Sequence, residues 1–600
     1  MIRETPGVGE SNTSTQNVDE GLHAEHAQSR PGIESATETL FVPPPNLIEM
    51  EGKSITPEML TLIALDQQQI DAIVQSVPGG AKNVQDIYPL SPLQEGILFH
   101  HLMNEEIDTY VLSILFQLES RTRLSPLIAA IQQVINRHDV LRSAILWEKL
   151  ARPIQIIYRE ARLVVEEIAL DPKRGAIEQL KERMRSDSRK RDLRKAPLVW
   201  LQVAADPHGT HCYALLRVHH LICDHQSLRI VVAEITSCLQ GLVDVLPAPM
   251  PFRNYVAQAL EKVRTDDAEE FFRGKLRDID EPTAPFAVFE VHGDGSQVEE
   301  AEEEIGSHLA VRIRTQARRS GVSPARFFHA AWGLVVGRMS GRDDVVYGTV
   351  LLAARQRSSR AERMLGLSVN TLPLRLRLRG SAEELLQQTH SELVELLNHD
   401  SAPLSLAQRC SGITGTAPLF TAILNYRHSA PESESESANA SGVQVLARGE
   451  ARTNYPLTVT IDDLGEGFRL MAKADRQIGA QRTIDYLCTV LRSLSEASEV
   501  APQTPALALA ILPERERHQV IERFNATRVQ PPEKSLIHEL FERQVDRSPS
   551  EVAVAYEEHS LTYAELNGKA NQLARYLQTR GVGPGQLVAL CVERSVEMLV

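Results

Sequence analysis

Between His211 and Ser227 the chain reads H-C-Y-A-L-L-R-V-H-H-L-I-C-D-H-Q-S, and this stretch constrains the fold most. Cys212, Ala214, Leu216 and Val218 alternate with Tyr213, Leu215, Arg217 and His219, and both sets carry apolar residues. That pattern predicts a strand buried on both faces. It then breaks into a polar turn holding His219, His220, Asp224, His225, Gln226 and Ser227. Two adjacent histidines at the exit of a buried strand need partners for their ring N–H groups, because an unpaired buried donor is costly. Asp224, four residues beyond His220, can be such a partner or an anchor for the turn.

The 600 residues are enough for several domains and a large core. A net charge of -15, without a basic stripe carrying aromatics, argues against a nucleic-acid partner. The six cysteines are scattered and form no C-x-x-C pair, which fits a reducing cytoplasm rather than a disulfide framework or zinc knuckle. Met1–Glu10 has no apolar core, so no signal peptide is expected. No apolar run reaches about 18 residues, so no membrane span is expected.

Residues 1–45 are rich in Ser, Thr, Glu, Gly and Pro and predict a disordered tail. Pro57, then Leu60, Ile63, Leu65, Ile70, Ile73, Val74 and Val77, predict two short amphipathic helices in a connector over 46–83, stopped at Pro78-Gly79-Gly80. Ser91 caps a helix with Gln94 and Glu95 in its first turn and an apolar stripe of Leu93, Ile97, Leu98 and Leu102. Tyr110–Leu118 alternates as a strand, and Leu127–Ile135 is helical. Pro197–Val203 is a strand suited to pair beside the central one as a hairpin. Leu228–Leu239 predicts a buried helix, and Asp266–Lys275 another. Motifs thin out around 245–265, which suggests a crossover between two lobes. The second lobe reads as a helix from Ser323 to Arg338, strands at Asp344–Leu352 and Leu419–Arg427, and a helix at Gln481–Ser495. The acidic run at 296–304 predicts a solvated edge, and 429–442 an exposed Ser/Glu loop.

Several of these stretches resemble, in order, the core motifs of nonribosomal peptide synthetase condensation domains, which belong to the chloramphenicol acetyltransferase-like superfamily. His219 to Asp224 is similar to the H-H-x-x-x-D-G signature, with His225 where the family has Gly. Tyr88 to His101 resembles the first motif, Arg137 to Ser143 the second and Phe252 to Tyr255 the fourth. Glu362 to Arg375, with Asn370-Thr371-Leu372-Pro373, resembles the fifth; His399 to Leu404 the sixth; Thr453 to Val459 the last. His100 to Asp108 is similar to a signature of condensation domains that also epimerise the donor, with Ile107 in place of its Gly. The other reading of His100 and His101 is two surface histidines favoured by a helix dipole. Ile537 to Val545 and Leu561 to Ala574 resemble the opening of an amino-acid adenylation (AMP-binding) domain.

The resemblance implies an α/β fold, a two-lobed pseudo-dimer with a mixed sheet and helices in each lobe. The condensation domain would cover 84–510, with an N lobe over about 84–255 and a C lobe over about 265–510. A linker over 511–530 and an incomplete adenylation start over 531–600 would follow. The phosphate-gripping loop and catalytic Lys of that second family are absent from the sequence given, so ATP and Mg belong only to a complete adenylation domain. The implied reaction is amide formation between a donor thioester and the amine of an acceptor aminoacyl thioester. Both would ride on phosphopantetheine arms of peptidyl carrier proteins. No carrier attachment site of the Gly-Gly-x-Ser type occurs in residues 1–83, so the upstream carrier is expected on another chain. No metal or covalently bound cofactor is expected.

Within that reading His220 is the general base or amine-positioning residue, His219 packs against the strand, and Asp224 holds the turn through an ion pair. Arg137 and Arg142 make structural ion pairs. His225 replaces a Gly that lets backbone or substrate approach closely, and its side chain would crowd the substrate tunnel expected between the lobes and impair activity. The Arg that relatives place after the Asp344–Leu352 strand is expected where Ala354 stands, with Arg355 one residue later. Ser368 replaces a bulky aromatic. Two other functions compete: a carrier-docking scaffold with impaired catalysis, and a metal hydrolase using His219, His220, Asp224 or His225. The hydrolase is disfavoured because neighbours on a strand face opposite ways and no water-activating Glu stands nearby.

Overall fold

The computed structural model describes residues 41–50, 52–103, 108–186, 190–289, 298–352, 364–415, 417–428, 442–449, 454–528 and 536–600. One compact unit ends at Ile511 and a second spans Leu512–Val600.

The first unit begins with a 3-10 turn at Pro57–Met59 and helix α1 (Gln67–Ser76), where two helices were predicted. Asp66 and Gln69 close a capping box at the start of α1. There follow β1 (Val84–Pro89), α2 (Pro92–Met103), β2 (Val111–Leu118), α3 (Leu124–Arg137), β3 (Ser143–Leu146) and β4 (Ile154–Tyr158). Next come β5 (Val164–Glu167), α4 (Ala176–Ser186), β6 (Val199–Ala205), β7 (Cys212–His219), α5 (His225–Leu239), α6 (Arg253–Thr265) and α7 (Ala268–Leu276). The chain continues through β8 (Val298–Glu304), α8 (Ser307–Arg319), α9 (Ala325–Ser340), β9 (Asp344–Leu352), β10 (Val369–Arg377), α10 (Ala382–Asn398) and α11 (Leu404–Arg409). It closes with β11 (Ala422–His428), β12 (Val443–Gly449), β13 (Leu457–Asp463), β14 (Phe468–Asp475) and α12 (Ala480–Val500).

Three sheets organise this unit. Their strand orders are β1-β4-β3, β12-β2-β7-β6-β5 and β10-β9-β11-β13-β14-β8. β7 is the strand predicted from the sequence, and all eight of its residues are buried. It lies between β2 and β6, antiparallel to both, so the predicted hairpin partner is β6. The larger sheet is mixed, since β11 runs parallel to β9 and β13 while its other pairings are antiparallel.

The two largest apolar cores match the two-lobe expectation, but the chain does not divide between them at one point. Met364, Leu365, Leu367 and Val443 pack into the core around β7, although they lie far along the chain. β12 brings Val443 there by pairing with β2. Gly366 has φ +144° and sits against the Phe252 ring, so a Cβ at that position would collide with the aromatic face. The region 245–265, where motifs thin, contains the helix α6 with Tyr255, Val256, Ala257 and Ala259 buried. Asp266 ends α6, which is why the next helix starts at Ala268 rather than Asp266. The acidic run forms the edge strand β8, its glutamates facing Arg469 and Lys473 of β14. Charge of this kind keeps an exposed edge from pairing with another chain. Arg137 makes the expected ion pair, with Glu234 at 3.0 Å. Arg142 instead donates to carbonyls, including Ile135 and Arg159, and to Gln85.

The connector packs as part of this unit. Ile48, Ile55, Leu60, Ile70, Ile73 and Val77 share one apolar cluster with Ile87, Ala144, Ile154 and Ile156 of the three-stranded sheet.

The second unit holds α13 (Glu514–His518), α14 (Ile537–Arg547), a hairpin of β15 (Val552–Tyr556) and β16 (His559–Thr562), and α15 (Tyr563–Thr579). Thr562 and Glu565 form a capping box at the start of α15. Among the described residues, no helix is long and apolar enough to cross a membrane.

Candidate active site at the exit of β7

His219 is the last residue of β7 and is buried. Its Nδ1 accepts the Leu221 N–H at 3.1 Å, which puts the ring proton on Nε2. That Nε2–H donates to Asp108 Oδ2 at 2.9 Å. The same carboxylate oxygen accepts from His101 Nδ1 at 3.1 Å, while Oδ1 accepts the Tyr110 N–H at 3.1 Å. Burial pushes the Asp108 carboxyl up, but His219 and His101 outweigh it and hold the group well below the usual carboxylate range. His219 therefore does more than pack against its strand. His101 is 4% exposed, which corrects the surface reading for that residue, and His100 is the partly exposed one. Ile107 lies outside the described residues.

His101, Asp108 and His219 have the composition of a two-histidine, one-carboxylate metal site. The tautomer of His219 argues against that use. A metal at Nε2 would leave both ring nitrogens without a proton, since Nδ1 already accepts from Leu221. A ligating histidine ordinarily donates its other N–H outward.

His220 opens a single 3-10 turn, His220–Ile222, and its backbone N–H donates to the Tyr110 carbonyl at 2.8 Å. Its ring Nδ1 lies 2.8 Å from the Cys223 carbonyl. A carbonyl only accepts, so Nδ1 carries the proton and Nε2 keeps its lone pair. The residue is partly exposed. Desolvation lowers its pKa from 6.5, outweighing the charge of Asp224 and the Cys223 carbonyl. At neutral pH the ring is an uncharged base with Nε2 unprotonated.

Asp224 caps α5, which explains why that helix begins at His225 and not at Leu228. Its Oδ1 accepts the Ser227 N–H at 2.7 Å. Its Oδ2 accepts the Ser368 N–H and hydroxyl, both at 3.3 Å. Ser227 Oγ adds a second tie by donating to the Gly366 carbonyl at 2.8 Å. The turn is thus pinned to the segment leading into β10, and a small hydroxyl at 368 is part of the pin. Ala354 and Arg355 lie outside the described residues. His225 is the first residue of α5, partly exposed and without a positive φ, so the backbone there does not require glycine. The three residues singled out from sequence do not form one triad. His219 is committed to Asp108, Asp224 to the helix cap, and the His220 ring hydrogen-bonds the Cys223 carbonyl.

One supporting residue escaped the sequence reading. Gln94 donates from Nε2 to the Leu221 carbonyl at 2.7 Å and to Gln155 Oε1 at 2.9 Å. Gln155 donates to Ser143 Oγ at 2.6 Å, and Ser143 donates to the Val140 carbonyl at 2.6 Å. Gln94, Gln155 and Ser143 have no exposed surface. The available signal was a polar residue on the same helical face as Ile97 and Leu98. Across the lobes, Thr109 Oγ1 donates to Asn454 Oδ1 at 3.0 Å.

Comparison with known proteins bears on the family and the fold. A family profile described as Condensation domain matches residues 84–521, and one described as AMP-binding enzyme matches 541–600. The chain is 42% identical over 563 residues to Malpinin synthetase of Mortierella alpina, covering 93% of this chain and 7% of that protein. It is 41% identical over 560 residues to Malpibaldin synthetase of the same organism, covering 93% of this chain and 10% of that relative. The chain therefore spans a small fraction of the curated relatives it matches. A crystal structure of a four-domain nonribosomal peptide synthetase bound to AMP and glycine aligns with TM-score 0.66 and 15% identity, over 83% of this chain and 39% of that one. The first condensation domain of the calcium-dependent antibiotic synthetase aligns with TM-score 0.54 and 17% identity, over 72% of this chain and all of that one (100%). At such identities the structural likeness speaks for the fold, the two-lobed architecture expected from the motifs.

Proposed function

The chain belongs to the condensation-domain family, and from that premise we propose that it joins two thioester-bound substrates through an amide bond. Condensation domains act with carrier domains that present thioesters on phosphopantetheine arms. The proposed partners are accordingly a donor and an acceptor peptidyl carrier, with the arms treated as handles of the substrates. The observation that carries the reading is the His220 ring: Nδ1–H held by the Cys223 carbonyl, Nε2 left with its lone pair.

A thioester is already activated, so the protein must align two arms and keep the amine neutral. Alignment replaces a bimolecular encounter with a positioned one. An α-amine has a reference pKa of about 8 and is mostly protonated at pH 7. His220 Nε2 takes the proton that the attacking amine gives up, and general-base help of this kind contributes about 10²–10⁴ in rate. His219, Asp108 and His101 hold the end of β7, and Asp224 with Ser368 holds the turn that follows. We assign His101 and Asp108 to this support rather than to donor epimerisation, because Asp108 Oδ2 is shared between the two rings. His225 stands at the start of α5, and a side chain there in place of Gly would restrict the approach of substrate. No adenylation step is assigned to residues 541–600.

The test is direct. Donor and acceptor carriers are loaded and mixed with the chain, and the acceptor is examined for dipeptidyl thioester by intact-protein mass spectrometry. Product supports condensation; carrier binding without product would leave the scaffold reading in its place.

A further inference from the structure

Tyr110 stands at the step between the buried histidine cluster and His220. Its N–H donates to Asp108 Oδ1 at 3.1 Å, and its carbonyl accepts the His220 N–H at 2.8 Å. The backbone of Tyr110 is thereby tied to both sides of the β7 exit. Its ring centroid lies 6.5 Å from that of His220 and 6.1 Å from that of His100.

The hydroxyl sets this residue apart from the tyrosines of this unit whose hydroxyls are already committed. Tyr347 donates its hydroxyl to the His329 carbonyl, Tyr426 to Asp463 and Tyr213 to Asp206. The Tyr88 hydroxyl is fully enclosed without a partner. The Tyr110 hydroxyl belongs to neither group: among the described residues it makes no hydrogen bond, and the residue is partly exposed rather than sealed. Burial, with the neighbouring Tyr455 and Asp108, pushes its phenol well above the usual range, so it remains an O–H donor throughout neutral and mildly basic pH. An aromatic donor held rigidly beside the base, with its donor uncommitted, is arranged for a group that arrives with the substrate.

We propose that Tyr110 is a catalytic residue whose hydroxyl donates a hydrogen bond to the oxyanion formed from the donor thioester carbonyl. This rests on the condensation reading. In the step, the amine lone pair forms the C–N bond while the carbonyl pair moves onto oxygen, where Tyr110 Oη–H stabilises it. The amine proton passes to His220 Nε2. The oxyanion then re-forms C=O, the C–S bond breaks, and the departing thiolate takes the proton from His220. Donors aimed at a developing oxyanion typically contribute about 10²–10³ in kcat.

Tyr110→Phe removes the hydroxyl and keeps the ring. With loaded carriers and the full chain, kcat should fall about 10²-fold, with the acceptor KM and the thermal midpoint unchanged. The loss should be equal at pH 7 and pH 9, because the phenol is protonated at both. An active wild-type chain matched by an equally active Tyr110→Phe variant overturns the assignment alone. A loss confined to KM, or one that follows a lowered midpoint, overturns it as well. A wild-type chain that makes no dipeptide overturns the condensation reading and this assignment together.

Discussion

Asp108, three residues before β2, meets His219 at the last position of β7, Oδ2 to Nε2 at 2.9 Å. The consequence is directional. With His219 drawn inward by a buried carboxylate, the next residue leaves the strand on the opposite side, where His220 meets solvent. A fixed interior ring thus orients an exterior base that it never touches.

Asp108→Asn tests that linkage. The amide keeps the size but removes the charge, and its NH₂ would face ring N–H donors. Loss of one member of a buried charged network should lower unfolding free energy by about 3 kcal/mol. A urea titration reads the change, and single-turnover condensation should slow in parallel. An unchanged midpoint and rate would show that the cluster does not support the β7 exit.

The pH dependence of kcat/KM should reflect His220. Its pKa lies below 6.5 because desolvation disfavours the imidazolium. The base works when neutral, so activity should hold down to pH 6.5 and be lost on further acidification. An acid limb centred at or above pH 6.5 would contradict the environment described for this ring.

His329 makes a separate prediction about stability. It is buried, with Nδ1–H donated to the Ala325 carbonyl at 2.9 Å and Nε2 accepting from the Thr349 hydroxyl at 2.8 Å. Burial depresses its pKa from 6.5 to about 4, against the pull of the carbonyl. Between those values the unfolded chain binds a proton that the folded chain refuses. Stability is full above pH 6.5 and falls as pH drops toward 4, by about 3 kcal/mol from this group. His329→Gln should flatten that part of the profile in urea titrations at several pH values.

His225→Gly should raise the condensation rate by about twofold or more if the imidazole restricts how closely the substrate aligns. The backbone at 225 is ordinary helix, so the substitution frees space without relieving strain. An unchanged or lower rate would mean that the side chain obstructs nothing.

What the sequence disclosed and what it hid divide along one line. β7 was legible because period-two apolar patterning on both faces needs no knowledge of neighbours. The His220 turn was legible through its motif. The partner of His219 was not, since Asp108 lies 111 residues earlier and meets it only through the register of β2 with β7. Gln94 was hidden for the same reason: its acceptor at Leu221 is 127 residues away. The placement of β12 beside β2 likewise depends on a long-range pairing that local pattern cannot encode. α5 starts three residues before Leu228 because Asp224 caps it, a role that the apolar pattern of 228–239 does not announce.

The most direct measurement compares the native chain with His220→Ala, both given loaded donor and acceptor carriers and both followed by intact-protein mass spectrometry. A base with a free Nε2 predicts dipeptidyl thioester from the native chain and a loss of about 10²–10⁴ in rate from the variant. Equal product from the two proteins would contradict the account.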